Sequence, residues 1–448
     1  MAERNRNDRR LSAAPGFVFI FLMAWCAVTL QSQSAPSTTQ VPPAPTMESP
    51  ANVYKELMQP LDQVRSSLDN WSPAELAALA AGIKRAQQYC GQVAPGSVGG
   101  DDLYQLARIC TFGQQWNAAD AAASAYIGSA NEKSAAQPYQ ALAYAIRVNA
   151  LLNLKDTTMA IEVARSMLHS VPYDATVDQS MAYLIHYLAM SLDDGVLPLA
   201  RERQPFLLTA LGSSSALREQ QGDVSTGTAI GSAALYDEGL ALAYLEQYAG
   251  RRNEAEQTRA ALDAALAKVP AEKIDNRAEI ERARAQYALL GEKLPPIPLL
   301  RYAAPGNPRL RINPDYGSAT VLLMFSEWCA QCWKMMQPLS AFLIRNMTEK
   351  IHAYGLLALD TDETTADPFT DDRFKDLLHT PTLTTPSATL GSFGAATFPF
   401  VVITDGAGRI RFLGAVAQNA FDAGGFVEQV IERNLHGTAS KGTPSASH

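Results

Sequence analysis

From Ser72 to Leu290 apolar residues recur every three or four positions between short polar breaks, in a stretch rich in alanine and poor in β-branched runs. That period predicts a wholly α-helical region. The pattern stops at Gly291–Pro298 (GEKLPPIP), where paired prolines end any helix and mark a domain boundary. Beyond it, Val321–Phe325 is an apolar run too short for a helix of its own, and it predicts a strand buried on both faces, as a parallel sheet requires. Helical spacing returns from Cys329. At the start of the chain, four arginines within Met1–Arg10 precede the almost continuous apolar run Phe17–Leu30, which reads as the n-region and h-region of a secretory leader. The run is shorter than the roughly 20 residues a spanning helix needs, so cleavage near Ser32 and Ser34 is expected ahead of retention as an anchor. Gln31–Pro50 is rich in Pro, Ser, Thr and Gln, cannot bury a core, and reads as a disordered tether.

The helical region carries a repeat. Trp116 with Ala119, Ala160 with Pro172 after its helix, Gly195 with Ala200, and Gly250 with Ala255 align as second halves of helix pairs, their alanines 41, 40 and 55 residues apart. They resemble degenerate tetratricopeptide-like hairpins, in which a small residue sits where the two helices of a pair touch and neighbouring pairs bury each other's apolar faces. The intervals exceed the period of about 34 residues of a strict repeat, so an irregular bundle stays open as the alternative. Tyr126, Tyr139, Tyr144, Tyr183, Tyr187 and Tyr244 either line a concave face or, as aromatics at helical spacing more often do, fill the core. His169 and His186 read as structural.

The 448 residues and net charge of −8 suit two or three globular units beyond the leader. Nothing is strongly basic, which argues against nucleic acid as a partner. No phosphate-cradling G-x-x-x-x-G-K-[ST] loop, H-E-x-x-H pair or serine elbow occurs, so other enzyme classes lack a foothold.

Candidate chemistry concentrates in Thr320–Pro338, TVLLMFSEWCAQCWKMMQP. Cys329 falls at a predicted helix start, where unpaired amides favour an anion and a thiol loses its proton more easily. Cys332, one turn on, can attack a mixed disulfide formed by Cys329 and release the product. Two cysteines at this spacing also make half of many zinc sites. The only other cysteines are Cys26, Cys90 and Cys110, no second such pair exists, and His352 and His379 lack ligand spacing, so no metal is expected. Cys26 belongs to the apolar run of the leader, because the bulky Trp25 before it departs from a lipoprotein signal. Arg9 and Arg10 lack the apolar residues that usually follow a twin-arginine export signal.

An apolar strand followed by EWCAQC resembles the thioredoxin superfamily, and in particular the TlpA-like and ResA-like thiol-disulfide oxidoreductases of the bacterial envelope, over about residues 295 to 435. A second landmark, TFPFVVITD at Thr397–Asp405, is similar to that family's cis-proline strand. The resemblance implies an α/β thioredoxin-like fold in which Cys329 attacks, Cys332 resolves, Pro399 is cis and faces the pair, and Trp328 and Phe398 meet the substrate. It implies no cofactor beyond the redox-active Cys329–Cys332 disulfide. It also implies a β-hairpin over Leu299–Ile312, an inserted segment over Thr364–Ala396, and a closing unit of the turn Asp405–Gly408, a strand Arg409–Val416 and a helix from about Phe421 to Leu435.

The departures are specific. The buried acid that thioredoxin places six residues before its first cysteine is Leu323 here, and the nearest acid in sequence, Glu327, reads as a solvated charge beside Trp328. Ala330 and Gln331 separate the cysteines, and Pro338 should kink the following helix. Cys90 and Cys110 are candidates for a structural disulfide. A simple antiparallel hairpin would set them apart along the axis unless the loop Gly91–Gly100 folds back.

The expected organisation is multidomain: a leader over 1–34, a tether over 35–50, an all-α tetratricopeptide-like domain over 51–290, a linker over 291–298, an α/β thioredoxin-like domain over 299–435, and a tail over 436–448 that leaves His436 and His448 without a site. The expected function is disulfide exchange with protein thiols in the periplasm or at the membrane, fed by an upstream electron donor. The alternative is a helical scaffold that binds partners and keeps the redox fold only structurally.

Overall fold

The computed structural model describes residues 48–64, 72–129, 138–213, 215–218, 229–304, 312, 318–359, 367–370, 372 and 380–436. The leader, the tether up to residue 47, residues 305–311 of the expected hairpin, His379 and the tail beyond residue 436 lie outside the described residues. The chain forms two compact units. One holds the described residues up to Ser180 together with Arg218 and Ala229; the other holds Met181–Leu217 and the described residues from Ile230 onward.

The first unit is helical: α1 (Pro50–Val64), α2 (Pro73–Gln92), α3 (Asp101–Phe112), α4 (Trp116–Ser129), α5 (Gln140–Asn153), α6 (Thr157–Ser170) and the start of α7 (Ala175–Met190). The start of α2 is set by Ser72, whose hydroxyl accepts from Glu75 N while the Glu75 carboxylate accepts from Ser72 N, and by Pro73, which has no N–H to leave unpaired. Tyr126 and Tyr144 are buried, and Tyr139, Tyr183, Tyr187 and Tyr244 are partly buried.

Cys90 and Cys110 form a disulfide, with their Cα atoms 5.4 Å apart. The axial offset expected of a simple hairpin is absorbed by the connection. Val93, Ala94 and Val98 are extended, so α3 begins beyond the end of α2 and only its last turn runs back alongside. Phe112 then lies against Gly82, and Gly113 against Ala86. A cross-link spanning 20 residues restricts the unfolded chain by about 3 kcal/mol. The Cys90→Ser/Cys110→Ser variant should therefore unfold at lower denaturant in proportion, as followed by helical circular dichroism; an unchanged midpoint would assign the bond no stabilising role.

The second unit continues with α8 (Val196–Leu211), α9 (Ser232–Tyr248), α10 (Arg252–Leu266) and α11 (Arg277–Ala288). One turn recurs along the chain, between α3 and α4, α5 and α6, α7 and α8, and α9 and α10. A residue of positive φ (Gln114, Lys155, Leu192, Gly250) is followed by an N–H that returns five residues to a carbonyl. Those bonds run from Gln115 to Cys110 (2.8 Å), Asp156 to Leu151 (2.9 Å), Asp193 to Leu188 (2.9 Å) and Arg251 to Glu246 (2.8 Å). Each closes the carbonyls of one helix and redirects the chain into the next. The second helix of each pair then buries its alanine, Ala119, Ala160, Ala200 or Ala255.

After α11 comes a five-stranded sheet of order β3-β2-β1-β4-β5, in which β1 (Ala319–Ser326), β2 (Ile351–Leu359) and β3 (Thr382–Pro386) are parallel and β4 (Phe400–Asp405) and β5 (Ile410–Ala415) antiparallel. β1 is central and all its residues are buried, which accounts for its unbroken apolar run. Val321, Leu323 and Phe325 pack on Leu339 and Phe342 of α13 (Met336–Arg345) and on Val427, Val430 and Ile431 of α15 (Phe426–His436). Each such side chain contributes about 1.5–3 kcal/mol when buried.

The segment 291–298, expected to be a linker, is held by the sheet. Gly291 N donates to Ile410 O and Leu294 N to Gly408 O (both 2.8 Å), so the chain leaves α11 directly onto the edge of β5. The expected hairpin over 299–312 is described on one side only, where Leu300 and Ala304 donate to Thr384 and Thr382 along the edge of β3. The closing helix starts at Phe426 rather than Phe421, because turns at Ala420–Gly425, with Gly424 at φ 70°, occupy the interval.

Arg345 at the end of α13 donates to Glu428 of α15 through Nε (2.9 Å) and Nη2 (2.8 Å). Burial opposes ionisation of Glu428, but Gly424 N–H, Arg345 and Asn346 outweigh it and hold the carboxyl below its ordinary 4.5. A carboxyl lowered in the folded state adds stability that is present above its ordinary value and lost as pH falls through the folded one. The unit should thus lose stability in acid below about pH 4.5. Glu428→Gln should flatten part of that loss and cost about 1–2 kcal/mol at neutral pH, as measured by urea unfolding across pH. The part carried by Asp405 should remain: burial opposes its ionisation too, but N–H groups of Arg409 and Ala407 and the Arg411 guanidinium hold its carboxyl below the usual range.

Candidate active site

The carboxyl end of β1 at Ser326 leads into the exposed Glu327 and Trp328 and then the nearly buried Cys329. Cys329 N donates to Ser326 O (3.0 Å), which turns the chain sharply out of the strand. Cys329 then caps the short helix α12 (Ala330–Trp333), and Cys332 N donates to Cys329 Sγ at 3.2 Å. The two sulfurs are bonded, with Cα atoms 5.4 Å apart. Cys329 is 6% exposed and Cys332 is wholly enclosed, so the sulfur of Cys329 is the more accessible. The helix breaks at Lys334–Met335 before α13 begins, because Pro338 lacks the N–H that would bond Lys334 O and its ring crowds that carbonyl.

The Phe398–Pro399 peptide bond is cis, and Pro399 O accepts from Val416 N (3.1 Å). Phe398 presents its ring to Trp328 edge-on at 5.3 Å between centroids, which brings the start of β4 beside the cysteines. Trp328 is 68% exposed, the largest aromatic surface left open among the described residues. The five residues named from sequence for this chemistry, Trp328, Cys329, Cys332, Phe398 and Pro399, therefore share one corner of the sheet.

Leu323, in the place of thioredoxin's acid, is fully buried among Phe325, Val401 and the cysteines. Among the described residues of the sheet, every buried polar side chain is a serine or threonine, and none is a carboxyl. Glu327 is exposed. No group of three His, Cys, Asp or Glu side chains among the described residues could hold a metal.

Sequence reasoning missed Arg282 and Gly394. Arg282 of α11 donates to Gly394 O at 2.9 Å, five residues ahead of Pro399. A glycine with φ 68° is invisible as such in a chain containing 28 glycines, and Arg282 reads as one charge on a polar helix face.

A bonded cysteine pair lies at the end of the central parallel strand, beside a cis-proline that heads the neighbouring antiparallel strand. No family description and no curated protein matches the chain. Among solved structures it is similar to the thioredoxin domain of a thiol-disulfide oxidoreductase from Bacteroides vulgatus, at 16% identity over 32% of this chain and 97% of that one, with a TM-score of 0.26. It is also similar to a thiol:disulfide interchange protein from a Bacteroides species, at 15% identity over 30% of this chain and 82% of that one (TM-score 0.22). A third is a thioredoxin-like protein in its oxidised form, at 14% identity over 27% of this chain and 79% of that one (TM-score 0.22).

Proposed function

We propose that the protein is a thiol-disulfide oxidoreductase of TlpA-like or ResA-like type that exchanges disulfides with protein substrates outside the cytoplasm. The observation that carries this reading is the bonded Cys329–Cys332 pair with only Cys329 reaching the surface, next to the exposed Trp328–Phe398 edge. In the reduced protein, the thiolate of Cys329 attacks a substrate disulfide; one substrate sulfur leaves as thiolate and Cys329 is joined to the other. The thiolate of Cys332 then attacks Cys329 Sγ, which expels the second substrate thiol and restores the disulfide. Two electrons pass to the substrate, and an upstream dithiol donor must return them. The N–H of Cys332 faces Cys329 Sγ at 3.2 Å, so the sulfur assigned the attacking role has a backbone donor beside it. The aromatic edge offers apolar contact to an extended substrate chain.

In this reading the helical hairpins are tetratricopeptide-like and dock the partner whose disulfide is exchanged. The arginine-flanked apolar N-terminus delivers the chain to the periplasm, with or without a membrane tether. No helix among the described residues is long and apolar enough to cross a membrane. Alkylation of the reduced protein at mildly acidic pH should label Cys329 before Cys332, and the pair should titrate reversibly against a glutathione or dithiothreitol buffer. Preferential labelling of Cys332 would reverse the roles. A pair that cannot be reduced without unfolding would leave the sheet a structural support for a helical binding protein.

A further inference from the structure

The segment carrying Phe398 and Pro399 begins at the end of α14 (Ala388–Ser392), and its starting point is fastened from outside the sheet. Gly394 takes φ 68°, and Ala395 N returns to Leu390 O at 3.0 Å, closing the helix and aiming the chain toward Phe398. Two side chains of α11 hold this corner. The guanidinium of Arg282 donates to Gly394 O at 2.9 Å and is itself steadied by Glu279 at 3.3 Å. Gln286, one turn further on, fills the space where a side chain on Gly394 would begin: a Cβ there would lie 2.8 Å from Gln286 Cβ and 3.0 Å from its Oε1. Only glycine satisfies both the backbone angle and the approach of α11. Four residues, Ala395 to Phe398, separate this anchor from Pro399.

We propose that Arg282 is a positioning residue for disulfide exchange, with α11 serving as the fixed wall on which the cis-proline loop is mounted. What the loop serves rests on the disulfide-exchange reading above; the mount itself does not. A charge-assisted hydrogen bond to a carbonyl restrains the start of the loop, and through it the height of Phe398 over Trp328 and the backbone that an extended substrate would meet. Arg282 touches neither sulfur, so the intrinsic reactivity of Cys329 is independent of it.

The test uses the full chain and three variants, Arg282→Met, Arg282→Lys and Gly394→Ala. In the oxidised protein, Arg282→Met should speed hydrogen exchange at the Ala395 amide about tenfold, while Arg282→Lys, which keeps a donor, should recover most of the protection. With a peptide disulfide as substrate, Arg282→Met should raise KM about tenfold at nearly unchanged kcat, and the rate at which iodoacetamide alkylates Cys329 should not change. Gly394→Ala should raise KM in the same way, and adding Gln286→Gly, which removes the Cβ that the new methyl group would meet at 2.8 Å, should restore part of it. Unchanged exchange at Ala395 in Arg282→Met would overturn the mount. Faster exchange there with an unchanged KM would overturn the positioning role. A wild-type chain that exchanges no disulfide would sink the proposed function alone, because amide exchange still decides whether Arg282 holds the loop.

Discussion

Replacing Cys332 by serine should convert a transient step into a trapped one: the Cys332→Ser protein accumulates mixed disulfides through Cys329, visible as reductant-sensitive adducts on non-reducing gels. Cys329→Ser should form none, and its rate of exchange should fall to the uncatalysed background, since a serine hydroxyl cannot take the place of a thiolate. The asymmetry follows from burial. Cys332 is wholly enclosed while Cys329 keeps 6% of its surface, so an incoming disulfide meets Cys329 first. Adducts forming equally on both single variants would show that the enclosed sulfur is as accessible as the outer one, and would remove the reason for assigning them different roles.

The second large effect concerns where the chain can be cut. A boundary at Gly291–Pro298 suggests a free-standing fragment from about residue 292. The structure predicts that this fragment is markedly weakened, because the cut discards the Gly291 N–H bond to Ile410, the Arg409 bond to Gly291 O at 3.1 Å and the Arg282 bond to Gly394. Three hydrogen bonds at about 1 kcal/mol each make a loss of about 3 kcal/mol, before counting the apolar contact of Tyr248 with Phe412. A fragment beginning at Arg277 should keep α11 and recover the three bonds. One beginning at Met181, where the compact unit starts, should approach the full chain. Urea unfolding of the three fragments orders them, and equal midpoints would show that the sheet is indifferent to the helices that precede it.

Much of the site was legible because its chemistry is local. A strand of five apolar residues, two cysteines three apart and a Phe-Pro at the head of a second strand announce themselves by type and order, whereas the contact of Trp328 with Phe398 is visible only in the fold. The repeated alanines were legible for a similar reason, since a small residue is required wherever one helix of a pair crosses the other. The turns beneath the repeat were not legible, because positive φ at Gln114, Lys155 and Leu192 falls on residues with no special preference for it. Cys90 and Cys110 misled through an idealised hairpin: an extended connector of a few residues cancels an axial offset that helical rise alone would leave. The Gly291–Leu294 edge contact and the Arg282 anchor were hidden because both depend on partners more than 100 residues away, Ile410 and Gly394, and no local pattern encodes such a pairing.

Both margins of the sheet are partly occupied by the chain itself, 291–294 at the Gly408–Ile410 end of β5 and 300–304 along β3. Among the described residues, these stretches take up amides and carbonyls of Gly408, Ile410, Thr382 and Thr384 that an added strand would use. Under the proposed function, recognition would then fall to side-chain contacts at the Trp328–Phe398 corner, which read shape and apolarity. The same coverage leaves neighbouring copies fewer free amides and carbonyls at these positions from which to extend the sheet.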